Sequence, residues 1–267
     1  MQKMHDVMSM CAFGSSRRQA LAALLTWPWA AQAQTAERFK VAAASNLKFV
    51  LADITSQYRQ QTGVEVELIL GASGHLSRQI LQGLPVQQFI SADEERVQEL
   101  VKAGRTVDAG QRYARGRLAL VVPKNSALPS DQGLPALVLA MKPADKFAIA
   151  NPALAPYGLA AEQALQRSGA RPLPVGQKVL GENIGQTTQF VATGAAQAGI
   201  TALALASAPE MAASLRYAPL SESLHDPLHQ RMVLLQGAGA AARAWHRYLL
   251  GPQAQAIFVR HGYALPQ

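Results

Sequence analysis

Short apolar runs alternate with helical patterns along most of the chain. Phe39–Ala44 is an apolar run interrupted only by Lys40, which is typical of a strand buried in a sheet. After it, apolar residues recur every three or four positions from Leu47 to Tyr58, and Gly63 follows as a helix stop. Because this order of strand and helix repeats, the pattern predicts parallel sheets covered by helices on both faces.

The alternation occurs in two series. The predicted strands are residues 39–44, 64–70, 89–92, 117–123, 147–150, 179–180, 198–202 and 231–235. The predicted helices are residues 47–58, 75–81, 158–166, 184–193, 241–250 and 252–261, with a further helix opened by residues 93–95. The pattern changes near Gly116, and the last strand and helices complete the first series, so we expect an α/β fold with one unit inserted in the other. Lobe I is predicted to comprise residues 34–115 plus 226–267, and lobe II residues 116–225, with crossovers near Gly116 and between Pro219 and Pro227.

The first residues have the features of a secretory signal. Arg17 and Arg18 precede an apolar run over residues 20–31, and an A-x-A site ends at Ala33. We therefore predict a signal peptide over residues 1–33, exported by either the general secretory or the twin-arginine route. The apolar run is too short, and is interrupted by Pro28, to act as a permanent membrane anchor.

Charge and cysteine content exclude several classes of protein. Residues 1–33 carry three of the 25 basic and one of the 17 acidic residues, so their removal changes the formal net charge from +8 to +6. In residues 34–267 the basic residues are scattered, and Trp245 is the one tryptophan. Both features argue against nucleic-acid binding. Cys11 is the only cysteine and lies in the predicted signal, so no disulfide is expected after cleavage.

Four strand-to-helix junctions carry the candidate chemistry. They are Ser45-Asn46, Ser73-Gly74, the proline-rich loop 151–158 that contains Tyr157, and residues 181–186, where a helix begins after a glycine. The N-terminus of a helix has unpaired N–H groups and a partial positive charge, which suit an anion. In α/β sheets, ligands bind at the carboxyl ends of strands. We therefore expect the four junctions to surround a small tetrahedral oxyanion.

Simpler structural roles are open for each of these residues. Ser45 is a good N-cap for the helix that follows, and Ser73 is a common turn residue. Asn46 would then face solvent in the first helical turn, and Tyr157 would be a packing aromatic of which only the backbone matters. The acidic residues 93–95 are expected to support a helix N-terminus and not to form a catalytic pair.

An enzyme is the alternative from a different class. Residues 71–75 nearly match the nucleophile elbow G-x-S-x-G, but His75 occupies the last glycine position. A secreted serine hydrolase using Ser73 remains the second hypothesis. Pro227 between His225 and His229 prevents these histidines from sharing a regular helix face as zinc ligands, and no P-loop motif is present.

Several segments together resemble a known family. The matching segments, in order, are residues 41–46, 71–74, 89–93, 155–158, 181–184, 251–254 and 262–266. Nearly the whole chain after the signal is similar to the periplasmic molybdate-binding proteins of ABC transporters. The resemblance implies a two-lobed type II periplasmic binding fold, each lobe a mostly parallel sheet flanked by helices, with the ligand cleft between the lobes.

The resemblance also implies the function and the site. It implies a monomeric periplasmic receptor, not an enzyme, that binds molybdate or tungstate and delivers it to a membrane permease, with no cofactor and molybdenum present only as the oxyanion. The implied ligand-binding residues are Ser45, Asn46, Ser73, Tyr157 and Ile184, the last two acting through backbone N–H groups. A binding protein for sulfate, thiosulfate or phosphate is the related alternative.

Two positions depart from the family pattern. Ala202 stands where many relatives carry a tyrosine that binds the ligand, and Asn46 is the candidate to replace its hydrogen bond. Residues 86–88 differ from the short acidic sequence that usually precedes Phe89. This second difference concerns the local loop more than the ligand.

Overall fold

A computed structural model describes residues 37–266, so the predicted signal peptide lies outside the described residues. The strands are β1 Arg38–Ala44, β2 Glu65–Gly71, β3 Gln88–Ile90, β4 Gln111–Gly116, β5 Leu118–Pro123, β6 Phe147–Ala150, β7 Lys178–Gly181, β8 Ala198–Ala202, β9 Leu215–Pro219 and β10 Leu228–Leu234. The α-helices are α1 Lys48–Thr62, α2 Ser73–Leu81, α3 Glu95–Lys102, α4 Gly133–Ala140, α5 Pro156–Arg167, α6 Ile184–Ala192, α7 Leu203–Ala206, α8 Ala240–Leu250 and α9 Pro252–Arg260. None of the helices in this part of the chain is long and apolar enough to cross a membrane.

The strands form two five-stranded sheets of similar design. The first has the order β2-β1-β3-β10-β4 and the second the order β7-β6-β8-β5-β9. In the first sheet β1 is parallel to β2 and β3, and β10 is antiparallel to β3 and β4. In the second sheet β6 is parallel to β7 and β8, and β5 is antiparallel to β8 and β9. One strand of each sheet thus runs against the other four, which confirms the predicted α/β fold with two mostly parallel sheets.

The two series of strands are nested as predicted. Strands β5 to β9 form the second sheet, and the chain returns to the first sheet through β10. The passage between the sheets lies at Arg117 on the way out and between Pro219 and Leu228 on the way back. The assignment of residues 34–115 plus 226–267 and of residues 116–225 to separate lobes stays a prediction.

The core confirms the apolar face that the sequence predicts for the first helix. Leu51, Ile54 and Tyr58 of α1 are buried, and Gly63 ends the helix with a φ of 72°. At that φ a side chain would be strained, which explains the glycine. Tyr58 packs edge-on against Trp245 of α8, with ring centroids 5.0 Å apart.

Four elements were missed by the sequence analysis. Strands β4 and β9 lie at the edges of their sheets, where they carry exposed or charged residues such as Arg112 and Tyr217 and have no apolar run. Helix α7 is only four residues long, and α4 contains Pro135. Short or edge elements are stabilised mainly by their tertiary neighbours, so local pattern identifies them poorly.

The acidic residues before α3 are structural, but they act in two different ways. Asp93 Oδ1 accepts a hydrogen bond from the N–H of Arg96 at 3.1 Å, in the first turn of the helix. Glu94 instead forms ion pairs with Arg112 of β4 at 2.7 Å and with Arg231 of β10 at 2.6 Å. Hydrogen bonds from the two guanidinium groups lower the pKa of Glu94 to about 2. Glu94 therefore connects the loop after β3 to two neighbouring strands.

Replacement of Glu94 by glutamine is expected to lower the free energy of unfolding at neutral pH by about 1.5–3 kcal/mol, the range for hydrogen bonds to charged groups. Because the pKa of Glu94 falls from 4.5 to about 2 on folding, its contribution is complete above pH 4.5 and is lost as the pH falls toward 2. The difference between wild type and Glu94→Gln should therefore shrink over that range in urea unfolding.

The matched control for this test is Glu67→Gln. Glu67 pairs with Lys40 at 3.6 Å, but both side chains are about half exposed. An exposed pair contributes little to stability, so this variant should unfold like the wild type at every pH. Equal stability of the Glu94→Gln and Glu67→Gln variants at neutral pH would contradict the structural role of Glu94.

Candidate functional site

The four predicted junctions follow neighbouring parallel strands of the two sheets. We number them in chain order: junction one is Ser45-Asn46, junction two is Ser73-Gly74, junction three is residues 151–158 and junction four is residues 181–186. Junctions one and two follow β1 and β2, whose last residues, Ala44 and Gly71, are paired in register. Junctions three and four follow β6 and β7, which end at the paired residues Ala150 and Gly181.

Two hydrogen bonds connect the junctions of one sheet to those of the other. The N–H of Gly185 donates to Ser45 Oγ at 3.3 Å, which connects junction four to junction one. The N–H of Gly74 donates to the carbonyl oxygen of Leu154 at 2.9 Å, which connects junction two to junction three. Together with the strand pairs, these contacts arrange the four junctions in a closed ring.

The ring places four helix starts side by side. Ser73, Tyr157 and Ile184 lie in the first turns of α2, α5 and α6, and Ser45 begins a 3-10 helix over residues 45–47. N–H groups in a first turn have no carbonyl partner within their own helix. Ser45 is 7% exposed and the other three residues are 3% exposed or less, so these donors lie in the protein interior. Such a group of buried donors is suited to an acceptor-rich anion.

The serine hydroxyls do not have the simpler roles considered for them. Ser45 was expected as a possible N-cap, but its side chain caps no helix, and Ser45 Oγ accepts from Gly185 instead. Ser73 Oγ accepts a hydrogen bond from the N–H of Ala92 at 3.0 Å. In both serines the oxygen is already an acceptor, so the hydroxyl hydrogen is available for a further acceptor.

Asn46 lies in the interior and not at the surface. It is 1% exposed, so the expectation that it faces solvent is wrong. Asn46 Nδ2 donates to Gln230 Oε1 at 3.2 Å and to Tyr263 Oη at 2.9 Å. Both amide hydrogens therefore have protein partners in this arrangement, and a direct bond from them to an anion, in place of a tyrosine at Ala202, stays a prediction.

Tyr157 contributes more than a packed ring. Its hydroxyl oxygen accepts a hydrogen bond from Gln230 Nε2 at 3.0 Å, and the side chain is 1% exposed. Burial raises the pKa of Tyr157 well above its usual value, so the hydroxyl stays protonated and uncharged. Gln230, Tyr113 and Tyr263, which surround it, were missed because nothing in their local sequence separates a buried polar residue from a surface one.

The ring contains no charged residue among the five candidates. Arg96 lies beside junction two, since a Cβ added at Gly74 would be 3.4 Å from Arg96 Nε, but its guanidinium is paired with Glu99 and Asp93. Within residues 37–266 no group of three or more histidine, cysteine or acidic side chains could hold a metal ion. The candidate site therefore offers hydrogen bonds and not countercharges or metal ligands.

The hydrolase hypothesis requires a histidine beside Ser73. Over residues 37–266, no hydrogen bond joins Ser73 to a histidine. His246 lies 3.0 Å from Gln88 Nε2 and His261 lies 2.8 Å from Asp53, so both have other partners. A serine without an adjacent base is a weak nucleophile, and the geometry does not favour acyl transfer.

Fold and site together define a class of protein. Two similar α/β sheets, with the second inserted in the first, contribute paired helix starts to one ring at the carboxyl ends of their strands, and the five candidate residues in it are uncharged. This is the architecture of a two-lobed binding protein for a small anion. The profile of the family described as "bacterial extracellular solute-binding protein" matches residues 39–264, and the chain belongs to that family.

Curated relatives agree with this assignment. The chain is 36% identical to the "Molybdate-binding protein ModA" of Azotobacter vinelandii over 240 residues, which cover 88% of this chain and 93% of the relative. It is 32% identical to the protein of the same name from Rhodobacter capsulatus, with 83% and 86% of the two chains covered. Both relatives are named for the molybdate that they bind.

Solved structures show the same fold. The periplasmic molybdate-binding protein of Azotobacter vinelandii superimposes with a TM-score of 0.78 at 31% identity, over 86% of this chain and all of that one. The sulfate-binding protein SubI of Mycobacterium tuberculosis has a TM-score of 0.69 at 17% identity, over 85% of this chain and 86% of that one. At that identity the second similarity concerns the fold alone.

A methyl group at Gly116 is expected to destabilise the protein. A Cβ there would lie 2.3 Å from Tyr157 Oη and 2.5 Å from Gln230 Nε2, so both groups would have to move. Overpacking of this kind costs about 1–3 kcal/mol. Urea unfolding of Gly116→Ala should show a loss of that size.

The matched control for Gly116→Ala is Gly239→Ala. At Gly239 the nearest atom to an added Cβ would be Gln87 Oε1, at 3.4 Å, which is an ordinary contact. Gly239 is the N-cap of α8, where alanine is less favourable than glycine, so this second variant should lose stability, but less than Gly116→Ala. If both variants were equally stable, the close approach of Tyr157 and Gln230 to Gly116 would not exist in solution.

Proposed function

We propose that this protein is the molybdate receptor of an ABC importer. The observation that carries the proposal is the ring of four helix starts, built by both sheets, in a chain that is 36% identical to a molybdate-binding protein over most of its length. The bound ion would be molybdate, with tungstate as a second ligand of the same shape and charge. Molybdenum is carried only within the oxyanion and is not a cofactor.

Neutral donors suffice to bind such a dianion. In the proposed complex, the hydroxyls of Ser45 and Ser73 and the N–H groups of Ser45, Ser73, Tyr157 and Ile184 donate to the oxyanion, and the backbone N–H of Asn46 completes the set. Each hydrogen bond to an ionised group contributes about 1.5–3 kcal/mol. Because oxyanion oxygens accept and do not donate, hydroxyl and N–H donors are the groups that match them.

The anion is proposed to favour the closed arrangement of the two lobes. Junctions one and two belong to the first sheet, and junctions three and four to the second. A ligand that bonds to both pairs interacts better with the closed form than with the open form, and therefore shifts the equilibrium toward closure. Sulfate is a tetrahedral dianion as well, so discrimination against it would depend on the size of the closed site.

The cellular setting follows from the same proposal. Residues 1–33 would act as a signal peptide that directs the protein to the periplasm. There the receptor would act as a monomer and deliver its ion to the membrane permease of the importer. The uncharged site suits delivery, since no counterion has to be replaced when the lobes open.

Molybdate and tungstate are each expected to raise the melting temperature of the purified protein, because a ligand that binds only the folded state stabilises it by mass action. At a concentration one hundred times the Kd the stabilisation is about 2.7 kcal/mol. Sulfate, thiosulfate, phosphate and chromate serve as comparisons in the same thermal-shift panel, with calorimetry as confirmation. A response to sulfate without a response to molybdate would contradict the proposed ligand.

Loss of either serine hydroxyl is expected to weaken molybdate binding by about tenfold or more, the scale of one hydrogen bond to a charged group. Calorimetry on Ser45→Ala and Ser73→Ala would measure it. Ser77→Ala is the control, because Ser77 is fully buried on the same helix as Ser73 but bonds to Gly74 O and Glu99. Unchanged affinity in both serine variants would remove these hydroxyls from the site.

A further inference from the structure

Gln230 lies at the centre of a buried polar network that the oxyanion hypothesis does not use. The residue is in β10 and has no exposed surface. Its amide contacts three side chains from three different elements: Tyr113 of β4, Asn46 of junction one and Tyr157 of α5. Partners at both its oxygen and its nitrogen hold this buried amide in place.

The hydrogen bonds of this amide connect the two halves of the ring. Gln230 Oε1 accepts from Tyr113 Oη at 2.7 Å and from Asn46 Nδ2 at 3.2 Å, on the side of the first sheet. Gln230 Nε2 donates to Tyr157 Oη at 3.0 Å, and Tyr157 belongs to junction three, which follows a strand of the second sheet. One side chain thus bonds to both junction one and junction three.

The network lies at the crossover between the sheets. Gly116 ends β4 immediately before the chain enters the second sheet, and a Cβ there would meet both Tyr157 Oη and Gln230 Nε2. Tyr263, near the end of the described chain, donates to the backbone oxygen of Asn46 at 2.9 Å and holds that residue from the other side. Hydrogen bonds through Gln230 therefore connect junction one to junction three beside this crossover.

We propose that Gln230 is a positioning residue for oxyanion binding, whose amide holds junctions one and three where their backbone donors meet the same ion. The proposal rests on the function proposed above. Gln230 acts through Asn46 and Tyr157 and does not itself touch the anion. Its bond to Tyr157 joins the lobes in the closed arrangement, so its loss should speed release of the ion more than it slows capture.

The chain offers a matched control in Gln88. This glutamine is also fully buried in the first sheet, on β3 beside β10. Its amide contacts His246 Nδ1 at 3.0 Å and Met232 Sδ at 3.4 Å, and neither partner belongs to the ring. Replacement of either glutamine by methionine removes a buried amide from the same sheet with little change in volume, so both variants should lose stability.

Only Gln230→Met should lose affinity. We expect molybdate to bind this variant about tenfold or more weakly than it binds Gln88→Met, as for the loss of a hydrogen bond that acts in the bound state. Calorimetry gives the Kd, and stopped-flow displacement should show a faster off-rate with a similar on-rate. Equal affinities in the two variants would overturn the positioning role.

Tyr157→Phe provides a second test that keeps both buried glutamines. It removes the hydroxyl oxygen to which Gln230 Nε2 donates and keeps the backbone N–H of residue 157. Molybdate affinity should fall about tenfold, with a faster off-rate, as in Gln230→Met. Wild-type affinity and off-rate in Tyr157→Phe would contradict the proposal.

The two proposals fail in different ways. If the wild-type protein binds no molybdate, the receptor function is wrong, and the role of Gln230 falls with it. If the wild type binds molybdate and the Gln230→Met and Gln88→Met variants bind it equally, the receptor function stands and only the positioning role is lost.

Discussion

Buried N–H groups at helix starts are the constraint on which this structure depends. A helix cannot satisfy the donors of its own first turn, and an unpaired donor in the interior costs free energy. Here four such starts are collected in one ring, and only some of their donors are used within the protein, as in the bonds from Gly185 to Ser45 and from Gly74 to Leu154. An arrangement that concentrates donors in this way is stabilised by a ligand made of acceptors.

The absence of charge among the five candidate residues is the second part of the design. A buried cation would attract any anion and would retain it strongly, whereas neutral donors discriminate through number and direction. The charged groups nearby are paired elsewhere: Arg96 with Asp93 and Glu99, and Glu94 with two arginines. The tyrosines of the inner network stay protonated because burial raises their pKa. The ring therefore keeps its neutral, donor-rich character over the physiological pH range.

The same hydroxyl groups lack the activation that a serine hydrolase requires. In a hydrolase the serine oxygen is activated by a neighbouring histidine that takes up its proton. In this chain Ser45 and Ser73 instead receive N–H bonds from the backbone, which leave the proton on the oxygen and orient it for donation. Membership of the solute-binding family agrees with this difference.

The sequence by itself determined most of the strands and helices and the four junctions that form the ring. Strong periodicity predicted most strands and helices, and strand-to-helix junctions with serines and glycines predicted where donors would collect, because both signals are local. The edge strands β4 and β9 were not predicted, because their residues are polar on one side and pairing with a neighbouring strand stabilises them. Only the tertiary structure decided that Ser45 contacts Gly185, that Asn46 is buried, and that Gln230 lies between Asn46 and Tyr157. Those contacts join residues 73 to 184 positions apart, and such pairings are set by how two sheets pack, which no local pattern records.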